Sequence, residues 1–335
     1  MNQAATYRAM ICPRLDGPDC LVPADLPRRA LEPGEVRLEV RAAGVNFPDL
    51  LVTRGLYQHK PELPFAPGLE VSGRILEVGA DVTNLEIGQE VMAGTKFSGF
   101  ATELVVAATT VHALPRCFAA AEGASFLVAA RTAYHALVEK ADLAPGETLV
   151  VLGAAGGVGL AAVEMGKLAG ARVVAVASRD EGLATAAARG ADATINHSHQ
   201  DLRQRLLELT DGNGADVVVD PVGGELFAAV SRTMAWDGRL VVVGFASGAI
   251  PSLKINLPLV KGYSLIGIRA GESARRHPRR AAAGMRRLLA WCEEGRLAPH
   301  ISHRFPLHRA AEALRCLEAR QAVGRIVIEV EAESS

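Results

Sequence analysis

The chain has 335 residues, of which 49% are hydrophobic, and 36 Lys and Arg against 37 Asp and Glu leave a formal net charge of −1. That apolar content excludes a disordered chain and, at roughly 100–200 residues per domain, predicts two packed domains. The balanced charge argues against a dedicated nucleic-acid binder, which needs a basic surface to displace counterions from phosphates.

Up to about residue 115 the sequence reads as short strands separated by turns. Residues 36–42 alternate apolar and polar side chains, as a half-buried strand does, and residues 71–78 and 101–106 look similar. Pro61, Pro64, Pro67, Gly68, Gly79, Gly88 and Gly94 punctuate this part, which predicts a β-rich, barrel-like domain. The alanine-rich stretch 119–139 predicts one helix. Strands and helices then alternate. Strands are expected at 148–152, 172–177, 215–220 and 240–244, and helices at 160–168, 182–189, 202–210 and 226–233. Runs such as Val217-Val218-Val219 and Val241-Val242-Val243 are continuous and apolar, the signature of strands buried on both faces of a parallel sheet. Such alternation predicts right-handed βαβ units in a doubly wound sheet. The last part predicts helices at 280–294 and 310–320 and a final strand at 325–330.

No apolar run approaches the roughly 20 residues of a membrane-spanning helix, and residues 1–22 hold no signal-like apolar core. Cys12, Cys20, Cys117, Cys292 and Cys316 are odd in number and form no CxxC pair, which predicts free thiols rather than a disulfide framework or zinc cluster. The expectation is a cytoplasmic protein without membrane or nucleic-acid partners.

One motif carries chemistry. Residues 148–160 read TLVVLGAAGGVGL: a strand, a tight glycine turn at Gly153–Gly159, then a helix. A dinucleotide needs this arrangement. Missing side chains let the backbone approach the pyrophosphate, and the helix N-terminus offers unpaired N–H groups and partial positive charge. Ala154, Ala155, Gly156, Gly157 and Val158 are therefore candidate cofactor-binding residues. Ala154 stands where the GxGxxG fingerprint has its first glycine, so the flanking strand and helix carry the assignment. The next strand ends Val176-Ala177-Ser178-Arg179. An NAD site places a carboxylate there for the ribose hydroxyls. A hydroxyl and a guanidinium instead suit a 2′-phosphate, so NADPH is expected. Asp180 and Glu181 read as exposed acids in the first turn of the next helix.

The order of parts and several motifs resemble the medium-chain dehydrogenase/reductase superfamily, and within it the quinone oxidoreductase (zeta-crystallin) group. The matching segments are AGVNFPD (43–49), GLY (55–57), PGLEVSG (67–73), TAYHAL (132–137), the 154–159 loop, DPVGG (220–224) and GRIV (324–327). The resemblance implies an α/β fold. A GroES-like, β-barrel-type catalytic domain at 1–122 would precede a Rossmann doubly wound NADP-binding domain at 123–266. A return segment at 267–335 would complete the first domain. It also implies that Asn46 and Tyr57 lie at the catalytic cleft beside the cofactor, with a packing aromatic in a surface loop as the other reading of Tyr57, and that Thr132, Ile268 and Arg269 reach the nicotinamide side. Val222, Gly244, Phe245 and Ala246 would cover the cofactor, and His197 would lie near the adenosine end, with an exposed loop histidine as the other reading. Arg325 resembles a basic position near the phosphates, with a surface arginine opening a strand as the other reading. Many relatives carry Lys where Gly182 stands, which leaves the 2′-phosphate to Arg179. Asp49 reads as a solvated or helix-capping acid and His135 as a packed core histidine.

The zinc alcohol dehydrogenases share this layout but carry Cys where Asn46 stands and His where Leu69 stands. Leucine cannot ligate zinc and asparagine is a poor ligand beside thiolate or imidazole, so no metal is expected. Without that Lewis acid, hydride must go to an acceptor that spreads charge by itself, as quinones and α,β-unsaturated carbonyls do. The expected function is NADPH-dependent reduction of such small molecules. A 2-enoyl-CoA reductase is the alternative; the arginines at 269–287 read first as a solvated helix face, with a landing site for its phosphates as the sharper reading. A non-enzymatic NADPH-binding structural or sensor protein is the reading from another class. The apolar stretch 263–268 suggests edge-to-edge pairing in a homodimer.

Overall fold

The structure is a computed structural model and describes residues 5–331. The chain divides into two compact units, one running up to Val128 and resuming at His300, the other spanning Ala129–Pro299.

The first unit begins with β1 (Thr6–Ile11) and β2 (Val22–Pro27), an antiparallel pair. It continues with β3 (Glu35–Val45), helix α1 (Phe47–Thr53), β4 (Glu70–Val78), β5 (Glu90–Gly94), β6 (Glu103–Ala107), β7 (Val111–Ala113) and α2 (Ala120–Ala124). The chain passes out of this unit within α3 (Leu127–Tyr134). The second unit holds β8 (Thr148–Leu152), α4 (Gly157–Leu168), β9 (Arg172–Ala177), α5 (Asp180–Ala188), β10 (Ala193–Asn196) and α6 (Leu202–Leu209). It goes on through β11 (Ala215–Asp220), α7 (Gly224–Val230), β12 (Met234–Val242), α8 (Asn256–Lys261), β13 (Ser264–Gly267), α9 (Ala270–Arg276) and α10 (Pro278–Glu293). β14 (Ile301–Pro306), α11 (Ala310–Glu318) and β15 (Arg325–Glu329) belong to the first unit again.

The sheet of the first unit is mixed, in the order β14-β15-β3-β4-β5-β7, with β6 also pairing β3. Its core forms where the alternating inner faces meet, around Leu38, Ile75, Phe100 and Ile328. The second unit carries a six-stranded parallel sheet in the order β10-β9-β8-β11-β12-β13. Its central strands are buried on both faces, as the unbroken valine runs predict. Successive crossovers run outward from β8 in one direction to β10 and in the other to β13. β8 is therefore the switch point, outside whose carboxyl end ligands bind in such sheets.

Several sequence expectations are corrected in detail. The helix expected over 119–139 is interrupted, because the Ser125 hydroxyl bonds back to the carbonyls of Ala121 and Glu122 and ends α2. After α3 the coil widens to a π-helix over His135–Lys140. Helices α4, α5 and α7 begin two or three residues earlier than expected. Their first residues are glycines or acids, which read as loop but are tolerated in a first turn, where the N–H groups need no partner within the helix. β12 begins at Met234, because it continues past a register shift opposite β11. The return to the first unit falls at His300 rather than at residue 267, since β13 edges the parallel sheet and α9 and α10 stay with it.

Candidate cofactor and active site

In the second unit, β8 runs into the glycine turn. Ala154 N–H donates to the Val176 carbonyl at 3.0 Å, tying the turn to β9, and Gly156 N–H closes on the Gly153 carbonyl at 2.9 Å. The two glycines around it differ in kind. A Cβ on Gly159 would overlap the Gly153 carbonyl and lie 2.7 Å from Ala154 Cα, so Gly159 lets α4 sit against the turn. A Cβ on Gly156 would meet only the Gly153 carbonyl, at 3.4 Å, and would otherwise fill the open cradle before the first turn of α4. That cradle, at the N-terminus of a twelve-residue helix, fits a pyrophosphate.

On one side of β8 lie Ser178, Arg179 and His197. β10 pairs with β9 so that Asn196 faces Ala177, and His197 N–H donates to the Ala177 carbonyl at 3.1 Å. Ser198 Oγ bonds the Ser178 carbonyl at 3.0 Å. Arg179 is partly exposed, 3.9 Å from the Glu181 carboxylate. Asp180 is exposed and opens α5, as expected, but it also accepts from Asn196 Nδ2 at 2.6 Å. Asn196 was not singled out from the sequence. Its one signal was its place at the strand end beside His197.

On the other side, the ends of β11, β12 and β13 bring Val222, Gly244, Phe245, Ala246 and Ile268 to the carboxyl edge of the sheet. Ala246 N–H donates to the Pro221 carbonyl at 3.0 Å, and Ile268 N–H to the Val242 carbonyl at 3.1 Å. Arg269 follows, exposed, just before α9, and Thr132 lies in α3. The arginines beyond are largely engaged. Arg275 and Arg276 bond Glu272 at 2.7 and 2.6 Å and hold its carboxyl down at about 2. Arg280 reaches Ser273 and Glu139, and Arg287 lies over the Trp291 ring. Arg275, Arg276 and Arg280 are thus paired with carboxylates. His135 is buried, with Nδ1 2.6 Å from Glu139, as expected of a packed histidine.

In the first unit the structure assembles a buried polar cluster. β15 lies antiparallel to β3 with Ile326 opposite Val45, and β4 lies on the other side with Val71 opposite Ala43. These registers bring Arg325, Asn46 and Glu70 together. Asn46 Nδ2 donates to Glu70 Oε1 at 3.0 Å and to the Gly44 carbonyl at 3.3 Å. Asn46 Oδ1 accepts from Arg325 Nη2 at 3.0 Å, and the same guanidinium pairs with Glu70. The other Glu70 oxygen accepts from Val128 N–H at 2.8 Å, in the first turn of α3. Asp49 caps α1 by accepting from Asn46 N–H at 2.8 Å, and it also holds Gly68 N–H at 2.9 Å. Asp49 and Glu70 are fully buried. Burial pushes Asp49 up to about 7, against the lowering effect of the Gly68 and Asn46 N–H groups. It raises Glu70 as well, against the Arg325 charge.

Both ends of the Asn46 amide are thus committed to neighbours, a holding role. Arg325 is no surface arginine. It opens β15 as expected but is buried, with Nε lacking a hydrogen-bond partner. Tyr57 is half-buried against the first unit's core, as is Leu69. The Glu70–Arg325 pair escaped sequence reasoning, although a charge set within each of two apolar runs was its signal.

Comparison with known proteins agrees with this architecture. Residues 32–116 match the alcohol dehydrogenase GroES-like domain family, and residues 157–288 match the zinc-binding dehydrogenase family. The chain is 37% identical over 326 residues to quinone oxidoreductase-like protein 2 homolog of Nematostella vectensis, covering 96% of this chain and 89% of that protein. A mycobacterial protein solved in complex with NADPH superposes with a TM-score of 0.89 at 28% identity, over 96% of this chain and 99% of the other. The CurK enoyl reductase superposes at 0.88 with 25% identity, over 97% and 99%. The glycine turn at the switch point, the shared two-unit layout and this identity lead to one conclusion: the chain belongs to the quinone oxidoreductase-like branch of the medium-chain dehydrogenases/reductases, the zinc-free branch its sequence resembles.

Proposed function

We propose that this protein is an NADPH-dependent reductase that delivers hydride to quinones or other α,β-unsaturated carbonyl compounds. The observation that carries the reading is the tip of β9, where Ser178 and Arg179 stand in place of a carboxylate beside an open glycine cradle. NADPH, when bound, supplies a hydride from its nicotinamide ring. The N–H groups opening α4 hold the pyrophosphate, and Ser178 and Arg179, with His197 close by, grip the 2′-phosphate. Val222, Gly244, Phe245, Ala246, Ile268 and Arg269 shape the far half of the crevice. In the first unit, Arg325 and Glu70 fix the Asn46 amide, and Tyr57 offers a hydroxyl that can hydrogen-bond the acceptor oxygen. Asn46 and Leu69 supply no thiolate or imidazole, so the donor set suits an acceptor that delocalises charge without a Lewis acid.

Likeness to an enoyl reductase supports a second reading, reduction of an enoyl thioester. Arg275, Arg276 and Arg280, already paired with carboxylates, give that reading little added support. The discriminating experiment follows NADPH and NADH oxidation against quinones, alkenals and enoyl-CoA thioesters. A clear preference for NADH would overturn the role of Ser178 and Arg179, and turnover of simple ketones alone would overturn the acceptor class.

The chain is also read as a homodimer. β13 is the edge of the parallel sheet, and Trp236, Leu259 and Val260 beside it are 73%, 80% and 71% exposed. A second copy pairing along β13 would cover both the free edge and these side chains. None of the described helices is long and apolar enough to cross a membrane, and five unbridged cysteines suit the reducing cytoplasm.

A further inference from the structure

β11 ends in Asp220, whose carboxylate is fully buried and takes no part in the reading above. Its Oδ1 accepts two backbone N–H groups, Val222 at 2.7 Å and Gly223 at 2.8 Å. Those bonds set the turn by which the chain leaves the sheet. Gly223 sits at φ +70, and a Cβ there would lie 2.9 Å from both the Ala249 carbonyl and the Phe245 ring. The turn holds the loop after β12 in its place. Ser247 N–H donates to the Val222 carbonyl at 2.9 Å, Ala246 N–H to that of Pro221 at 3.0 Å, and Gly224 N–H to that of Ala249 at 3.1 Å. On its other side Val222 reaches the glycine turn, where a Cβ on Gly153 would be 2.9 Å from Val222 Cγ2. One carboxylate therefore underlies three segments of the crevice.

The glycine turn lies at the switch point itself, while the 221–224 turn and the loop after β12 lie on its β11–β12 side, and a dinucleotide spans the crevice there, one nucleotide to each side. With Ser178 and Arg179 on the β9 side, the nicotinamide half falls to Asp220's side. The side chain is also an unexpected one for its place. The three residues before it are buried valines, while Asp220 Oδ2 is buried with no hydrogen-bond partner. A buried polar atom left unpaired is costly, so filling space does not account for it.

We infer that Asp220 is a positioning residue for the nicotinamide half of NADPH: through Oδ1 it fixes the 221–224 turn, and so the wall formed by Val222, Phe245 and Ala246. The inference rests on the NADPH reading above. Burial raises the Asp220 carboxyl above the usual range, and Oδ1 accepts in either protonation state.

The test compares D220A and D220N with the unaltered protein in binding NADPH and 2′,5′-ADP, which carries the adenosine half alone. The expected result for D220A is NADPH binding weakened tenfold or more, with 2′,5′-ADP within twofold of normal. D220N, which keeps an acceptor oxygen, should bind both ligands nearly as the unaltered protein does. Unchanged NADPH binding in D220A, equal loss of both ligands in folded D220A, or D220N as weak as D220A would each overturn the inference. Should D220A fail to fold, exchange of the Val222 and Gly223 amides in the unaltered protein decides. NADPH should slow it and 2′,5′-ADP should not, and an equal response to the two refutes the positioning role. Unaltered protein that binds neither ligand sinks the cofactor reading itself, whereas binding of both with D220A unaffected sinks only this inference.

Discussion

The two glycines that bracket the start of α4 allow stability and binding to be separated by adding one methyl group at a time. In Gly159→Ala the new Cβ would lie 2.7 Å from Ala154 Cα, where ordinary contact begins at 3.4 Å, and the opposing atoms are backbone. The turn must retreat by at least about 0.7 Å, and further at the Gly153 carbonyl, and overpacking of that kind costs about 1–3 kcal/mol. At about 2–4 °C per kcal/mol for a domain of this size, Tm should drop by about 5 °C. In Gly156→Ala the methyl has room in the free protein, so only the weaker N-cap should count, about 0.5–1 kcal/mol, and Tm should fall by about 2 °C. That methyl occupies the cradle, however, and NADPH affinity should fall at least about tenfold, or 1.4 kcal/mol. Thermal unfolding and titration of nicotinamide fluorescence read the two effects separately. Full NADPH affinity in Gly156→Ala would refute the cradle, and an unchanged Tm in Gly159→Ala would refute the close approach of α4 to the turn.

The buried cluster of the first unit gives further expectations. Arg325→Met leaves Glu70 buried without its partner and should cost about 3–5 kcal/mol in urea unfolding. Adding Glu70→Gln, which removes the charge but keeps an acceptor for Val128 N–H, should restore much of that loss, and no recovery would count against the pair as its cause. Asp49 has a folded pKa of about 7 against an ordinary 3.8, so its contribution to stability is fully present below 3.8 and is lost as pH rises through 7. The stability advantage of the unaltered protein over Asp49→Asn should therefore shrink between about pH 4 and 7 and level off above that. An advantage that grows with pH would mean that the two backbone donors outweigh burial. Leu259→Asp together with Val260→Asp should halve the mass measured by light scattering without lowering NADPH affinity, and an unchanged mass would move the interface elsewhere.

Much of the second unit was legible because its signals are local. Unbroken valine runs mark strands buried on both faces, and a glycine turn between strand and helix marks the phosphate end of a crevice. The helix expected over 119–139 shows where local signals mislead. Alanine content favoured one helix, and the Ser125 hydroxyl and the π-helical His135–Lys140 segment broke it. Asn46 was picked out from its segment, yet its partners lie 24 and 279 residues away, at Glu70 and Arg325.

The sequence by itself determined the strand–helix alternation of the second unit, the glycine cradle and the basic tip of β9, because each depends on residues a few positions apart. Only the tertiary structure decided that Arg325 is buried, that Asn46 is held at both ends, and that Asp220 underlies the far wall of the crevice. Those facts follow from sheet register: β15 beside β3, β3 beside β4, and β11 between β8 and β12. Register is settled by the packing of whole faces, and it turns distant, unremarkable charges into neighbours.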